Sequence, residues 1–313
     1  MPETLQSRSI YIGIGLAVLA TIIWSGNFII ARGIIHRIPP FSLAFYRWLT
    51  ASIIILPLAI KKFNGEKIIV LKNWKYLFWV ALTGITLFNT LVYIAGHYSS
   101  AINLALIGTT SSPVFAILLA AVFLKEKIKA LRILGMIVCI SGIVVLLSEG
   151  SFERLIHFHF STGDWWILGA ALSFAIYNTL VRKKPASITP VNFLFVVFSL
   201  GTILLFPFYI WEGFHTDPVV WDVDMILIVL YLGIGASVIC YLFWNAAIAR
   251  LGSARTALFG NLIPVFSTLE AVLILHEEIT VIHIISGLLV VAGLVIANLQ
   301  KSNSGLTQVA GQP

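Results

Sequence analysis

An all-α integral membrane fold, ten transmembrane helices arranged as two inverted-topology repeats of five, is predicted by three features of the sequence. Composition is the first. Of 313 residues, 59% are apolar and 11% charged, against roughly 45–50% and 25% in soluble domains. So few charges cannot cover a water-facing surface, which excludes a pair of soluble globules, a disordered chain and a water-facing enzyme. Patterning is the second: the apolar residues fall into long blocks rather than stripes or alternation. Self-similarity is the third: distinctive residues recur at an offset of 150 or 151.

About 20 apolar residues span a bilayer core of about 30 Å at a rise of about 1.5 Å each. Ten blocks qualify: 10–34, 40–60, 74–97, 100–124, 131–149, 163–181, 188–211, 224–249, 253–275 and 279–299. Backbone groups in lipid need internal partners, so helices are the default, and the alternation of a barrel strand is missing. The first block is too long for a cleaved leader and follows a single basic residue, Arg8, so it reads as a true span. Cys139 and Cys240 lie inside spans and support neither a disulfide framework nor a zinc motif.

The net charge of +7 is a topology signal rather than a nucleic-acid footprint. Sixteen of the 20 Lys and Arg fall in six segments on one side, Arg32, Arg37 and Arg154 on the other, and Arg47 within a span. By the positive-inside rule both termini are cytoplasmic, in a bacterial-type cytoplasmic (inner) membrane.

The repeat links Pro40 to Pro190, Pro57 to Pro207 and Arg32 to Arg182 at 150. It links Pro113 to Pro264, Gly142 to Gly293 and Glu126 to Glu277 at 151. Two units follow, 1–150 and 151–313. Five spans per unit is odd, so the second enters the membrane from the opposite side, a plan shared by many secondary transporters.

The residues that carry these repeats resemble a known family. Residues 100–106, with Pro113, Val114, Phe115 and the Phe123 to Glu126 stretch, look like the fourth helix of an EamA-type repeat. Residues 252–257, with Pro264, Val265, Phe266, His276 and Glu277, look like its second copy. Trp24-Ser25-Gly26-Asn27 and Tyr46-Arg47-Trp48-Leu49-Thr50-Ala51 are similar to the matching first-half signatures. The resemblance, over residues 10–300, implies the drug/metabolite transporter superfamily, exporters or exchangers of small polar metabolites. The second copy departs from the first in carrying Val197 where Arg47 stands.

Ionisable groups inside spans cost about 2.5–3.5 kcal/mol at a helix centre and are functional by default. Arg47 and Glu270 are the two here, each about 10 Å below the same surface at 1.5 Å per residue. They are expected to face one cavity, paired when it is empty, with Arg47 taking a carboxylate or phosphate and Glu270 an amine or a coupling proton. Asn89, Tyr93 and His97 share one face at i, i+4, i+8, as do Ser237, Tyr241 and Asn245. Trp24, Asn27 and Tyr177 add aromatic and amide groups able to stack a flat or cationic solute. Pro113 and Pro264 each free a helical carbonyl, with Thr110 and Asn261 beside them, and are expected to act as paired hinges.

No P-loop and no HExxH motif occurs, and the only Asp residues within the blocks, Asp164 and Asp224, stand at their ends, so neither ATP-driven transport nor proteolysis is expected. The expectation is a non-enzymatic secondary transporter needing no cofactor or metal. It would move a small amphipathic solute, an amino acid or similar zwitterion first, outward by alternating access. Its partners are that solute, lipid and a proton as a candidate coupling ion. A cationic multidrug efflux protein is the alternative, and a membrane-embedded enzyme or accessory subunit the alternative class.

Overall fold

The computed structural model describes residues 3–123, 130–151, 153, 160–181, 183–251, 256 and 259–298. Within them every regular element is helical. The first half comprises α1 (Glu3–Gly33), α2 (Pro40–Lys72), α3 (Trp74–Ala81), a π-helical segment (Leu82–Leu87), α4 (Phe88–Gly96), α5 (Ala101–Phe123) and α6 (Ala130–Leu147). The second comprises α7 (Thr162–Val181), α8 (Pro190–Gly213), α9 (Val223–Leu230), a second π-helical segment (Tyr231–Ile239), α10 (Cys240–Leu251), a 3₁₀ turn (Gly260–Leu262), α11 (Ile263–Leu275) and α12 (Val281–Asn298). Among the described residues five stretches are long and apolar enough to cross a membrane: Ser9–Gly33, Pro40–Lys61, Trp74–Gly96, Pro190–Gly213 and Val223–Ile248. Ala101–Ala116, Ile133–Leu147, Ile263–Leu275 and Val281–Gly293 are shorter apolar helices.

Large apolar side chains on the outside, among them Ile53, Leu58, Ile203, Leu273 and Leu288, are more than half exposed. Such a surface suits lipid and not water. Inward-facing hydroxyls return to the helix backbone: Thr83 donates to Trp79 O, Thr90 to Thr86 O and Thr202 to Phe198 O, at 2.6–2.9 Å. Within a helix buried from water, that is the nearest available acceptor.

The repeat is visible in the packing. From one end of α2 to the other, partners on α8 run backwards. Ser42 meets Glu212, Tyr46 meets Tyr209, Ser52 meets Thr202, Phe63 meets Phe195 and Glu66 meets Asn192. The two helices are therefore antiparallel and cross at Ser52 and Thr202, residues 150 apart. The α6–α12 pair behaves alike: Cys139 Sγ meets Val290 O at 3.6 Å, 151 residues away. A Cβ on Gly142 would lie 3.0 Å from Ser286 O, and one on Gly293 would lie 2.7 Å from Gly135 O, the shift-related contact. The remaining helices pair reciprocally, α1 against α10 and α11, α7 against α4 and α5. Antiparallel crossing of equivalent elements is what a two-fold axis running across them produces.

Carboxylates tie the halves together at helix starts. Glu212, at the end of α8, accepts from Phe41 N (3.1 Å), Ser42 N (2.6 Å) and Ser42 Oγ (2.8 Å). Glu66, in the last turns of α2, accepts from Thr189 N and Asn192 Nδ2 at the start of α8. Glu277 accepts from Ala101 N and Ile102 N at the start of α5. Each satisfies amides that the helix leaves open and places negative charge at the positive end of its dipole. Glu126, the repeat mate of Glu277, lies outside the described residues.

The hinge expectation needs correction in detail. Pro113 sits inside α5, whereas Pro264 occupies the first turn of α11, just after the 3₁₀ turn, where a proline is accommodated without a broken bond. The two positions are unlike. Thr109, not Thr110, bonds back to Ala105 O (2.6 Å), while Thr110 Oγ1 is buried without a partner. The side chain of Asn261 lies outside the described residues.

Gly96 tests the packing most sharply, since a Cβ there would fall 1.9 Å from Ala31 O. Gly96→Ala is expected to destabilise the fold by about 1–3 kcal/mol. Gly15→Ala, with nothing within 4 Å of the added atom, is expected to leave the melting temperature of the detergent-solubilised protein unchanged or slightly raised.

Candidate functional site

Four helical elements converge on Arg47. It stands on the first turns of α2 and is 4% exposed. Its Nη1 donates to Asn27 Oδ1 (2.5 Å) on α1, and to Asn89 Oδ1 (2.8 Å) and Tyr93 Oη (2.9 Å) on α4. Its Nε donates to Ser237 Oγ (3.0 Å), which passes its own hydrogen to Leu232 O (2.9 Å) across a turn of the second π segment. The guanidinium carbon sits 4.8 Å from the Trp48 ring. Every one of these partners is neutral. Among the described residues no carboxylate pairs with Arg47, so it is buried with no counter-charge among them, and its Nη2 makes no hydrogen bond there.

Beside this cluster runs a chain of aromatic rings. Trp24 packs edge-on to Tyr241 (5.8 Å between centroids), Tyr241 edge-on to Phe198 (5.7 Å) and Phe198 against Trp48 (4.8 Å). Trp24 Nε1 donates to Ala236 O (2.9 Å). Tyr177, within electrostatic reach of Tyr241, lies over Gly84 so closely that a Cβ there would fall 2.1 Å from its ring. Arg47, Asn27, Asn89, Tyr93, Trp24, Tyr241 and Tyr177 are thus brought to one region.

Two sequence-predicted members are not. Asn245 is exposed. The π segment ending at Ile239 breaks the α-helical register between Ser237 and the Tyr241–Asn245 pair, so the three residues do not form one stripe. Glu270 does not pair with Arg47. Its Oε1 accepts from Ser25 Oγ (2.6 Å), and its Oε2 is buried without a partner. Ser25 and Asn27 are two residues apart on α1, about 200° around a helix. Glu270 and Arg47 therefore touch α1 from opposite faces, not across one cavity.

Above Arg47, at the end bearing the α1–α2 and α8–α9 loops, lies a cleft of about 590 Å³ lined by His36, Arg37, His97, Glu212, Asp217 and Asp222 among others. A void of about 10 Å³ between Ala31, Ile34, Ile38, Leu43 and Tyr93 continues it inward. An apolar neck thus separates the cleft from the Arg47 cluster. His97 is held below the usual histidine range, first by burial and then by His36 and Arg32, so it stays neutral near pH 7.

The sequence matches the EamA-like transporter family twice, over residues 11–148 and 161–299. The chain belongs to that family. An uncharacterized transporter of Archaeoglobus fulgidus is 29% identical, the match covering 91% of this chain and 97% of the relative. A probable amino-acid metabolite efflux pump of Escherichia coli is 25% identical over 90% and 93% of the two chains. A crystal structure of 20% sequence identity shares the fold, with a TM-score of 0.59 over 93% of this chain and 96% of the other. This EamA-family protein is an integral membrane protein of the bacterial inner-membrane kind and belongs with transporters, not enzymes.

Three structural features of this transporter are not legible in the sequence. Ser237 was read only as a stripe member, though it bonds Arg47. Both π segments, at Leu82–Leu87 and Tyr231–Ile239, were read as ordinary helix; Gly84 and Gly233 were their faint signal. The carboxylate caps were legible only as loop charges.

Removing either amide acceptor leaves the buried cation less satisfied. Asn27→Ala and Asn89→Ala are each expected to cost roughly 1–2 kcal/mol in thermal or denaturant unfolding. At the cleft, Asp222 sits below the ordinary carboxylate range, first because Met225 N donates to it and then because of Arg37. A depressed carboxyl stabilises above its ordinary range and loses that contribution as pH falls through its lowered value. The Arg37–Asp222 clasp should therefore survive mild acidification and open only in stronger acid. Asp222→Asn should open it at neutral pH, read as a longer distance between spin labels at His36 and Val220.

Proposed function

We infer that this protein is a secondary-active transporter of ten spans, in units 1–150 and 151–313, with both termini cytoplasmic. It moves a small amphipathic metabolite bearing an anionic group by alternating access between the two inverted repeats. The observation that carries this reading is the Arg47 cluster. A cation held in a membrane span by neutral groups alone is costly, and it is most stable when a ligand supplies the missing charge. Nη1 and Nε are already committed to protein oxygens, which leaves Nη2 for a carboxylate; a lysine ammonium could not hold Asn27, Asn89, Tyr93 and Ser237 and still offer a free donor. Trp24, Tyr241 and Phe198 offer an apolar wall for the rest of the solute, so an amino acid or similar zwitterion is the best occupant. The same uncompensated charge disfavours a cationic drug.

The antiparallel crossings of α2 with α8 and of α6 with α12 support rocking of one unit against the other. In that motion the cleft and its apolar neck serve as the outer path, closed above Arg47 in the present conformation. Pro113 within α5 is the better placed of the two prolines to bend during the cycle. The efflux function named for the Escherichia coli relative supports export as the direction.

Two measurements test the reading. In a thermal-shift screen of the purified protein, neutral zwitterionic amino acids should stabilise it, while nucleosides, neutral sugars and cationic dyes should not. Arg47→Lys should weaken that stabilisation by at least about tenfold in apparent affinity while the unliganded protein stays folded. Stabilisation by cationic dyes instead would reverse the assignment.

A further inference from the structure

We propose that Glu270 and Ser25 form a proton-binding site distinct from the solute site, and that it drives the solute site through α1; the coupling half of this proposal rests on the transport reading above. Ser25 Oγ lies 2.6 Å from two acceptors, Glu270 Oε1 on α11 and Ile22 O on its own helix. A hydroxyl has one hydrogen, so it serves only one of them at a time. With Glu270 ionised, that hydrogen goes to the carboxylate. With a proton bound to Glu270, the carboxyl is neutral and can itself donate, and the Ser25 hydrogen turns to Ile22 O. The proton comes from water on one side of the membrane and leaves to water on the other, and no other bond is made or broken. The bound proton sits on Glu270 Oε1, the oxygen that faces Ser25 Oγ, while Oε2 stays buried and unpartnered.

The surroundings suit that role. Among the described residues no cation touches Glu270. Of the elements packed on α11, α5 contributes no titratable residue, and α1 bonds Glu270 through the hydroxyl of Ser25. Tyr231 is within electrostatic reach of Glu270, Cys240 and Arg47. Tyr231 donates to Ile23 O (2.6 Å), and a Cβ on Gly26 would fall 2.2 Å from its hydroxyl. Four consecutive α1 residues thus read four neighbours. Trp24 bonds Ala236 O, Ser25 bonds Glu270, Gly26 admits Tyr231, and Asn27 bonds Arg47. Because Ser25 and Asn27 lie on opposite faces of α1, a small sideways shift of α1 that tightens one contact loosens the other. Proton occupancy on one face is thereby linked to solute occupancy on the other.

The test begins without any solute. Infrared spectra of the full-length protein in lipid, recorded across a pH titration, should show the carbonyl band of one buried carboxylic acid. That band should be missing in Glu270→Gln and shifted in Ser25→Ala, and it should persist in Arg47→Lys. In proteoliposomes, leucine, phenylalanine and threonine serve as probes for two assays, pH-gradient-driven accumulation and equilibrium exchange. The ratio of accumulation to exchange should fall in Glu270→Gln to the value seen without a gradient. A band that survives in Glu270→Gln overturns the proton site, as does an accumulation ratio equal to wild type. If the wild-type protein moves none of the three probes, the amino-acid reading fails while the infrared result still decides the proton site.

Discussion

A single guanidinium organises this molecule. Arg47 belongs to α2, but the atoms that make its burial tolerable come from α1, α4 and the second π segment. None of those elements can leave without stranding a charge away from water, at a cost that exceeds any one neutral hydrogen bond. Val197, the residue matching Arg47 in the second repeat, is fully buried among apolar neighbours. Two repeats that share a scaffold thus differ at this buried charge, and the pseudo-symmetric fold carries an asymmetric polar cluster.

Close helix contacts make the convergence possible. Gly233, inside the second π segment, lets α2 approach until a Cβ would lie 3.0 Å from Arg47 O. Gly84, inside the first, admits the Tyr177 ring. π-Helical turns are uncommon and concentrate at functional sites. Here they fall at corresponding places in the two repeats, where each re-aims the side chains that follow it. The first precedes Asn89 and Tyr93, and the second carries Ser237 and precedes Tyr241.

The ends of the helices answer a different constraint. Glu66, Glu212 and Glu277 each lie on one repeat and cap a helix of the other. A capping carboxylate joins the halves with several short, directional bonds and no buried apolar seam, so it can be released as a unit. With the Arg37–Asp222 clasp, these contacts form fasteners near the surfaces, while the guanidinium network forms the fixed centre.

Much of the architecture was legible in the sequence alone. Hydropathy located the ten apolar blocks, and each block carries helix in the structure, because hydrophobic length is a property of consecutive residues. The 150-residue offset foretold which elements are equivalent, and Ser52 against Thr202 and Cys139 against Val290 realise it. The membrane's intolerance of charge marked Arg47 and Glu270, since no partner needs to be known to see that such residues are expensive. Which groups surround them was decided only by the fold. Whether Ser25 and Asn27 turn to the same face or to opposite ones depends on helical phase and on which helices flank α1. The register between Ser237 and the Tyr241–Asn245 pair is broken by a π segment that leaves little trace in composition. Local free energies are written in the sequence, residue by residue; the partner of a buried polar group is non-local, and tertiary packing alone selects it.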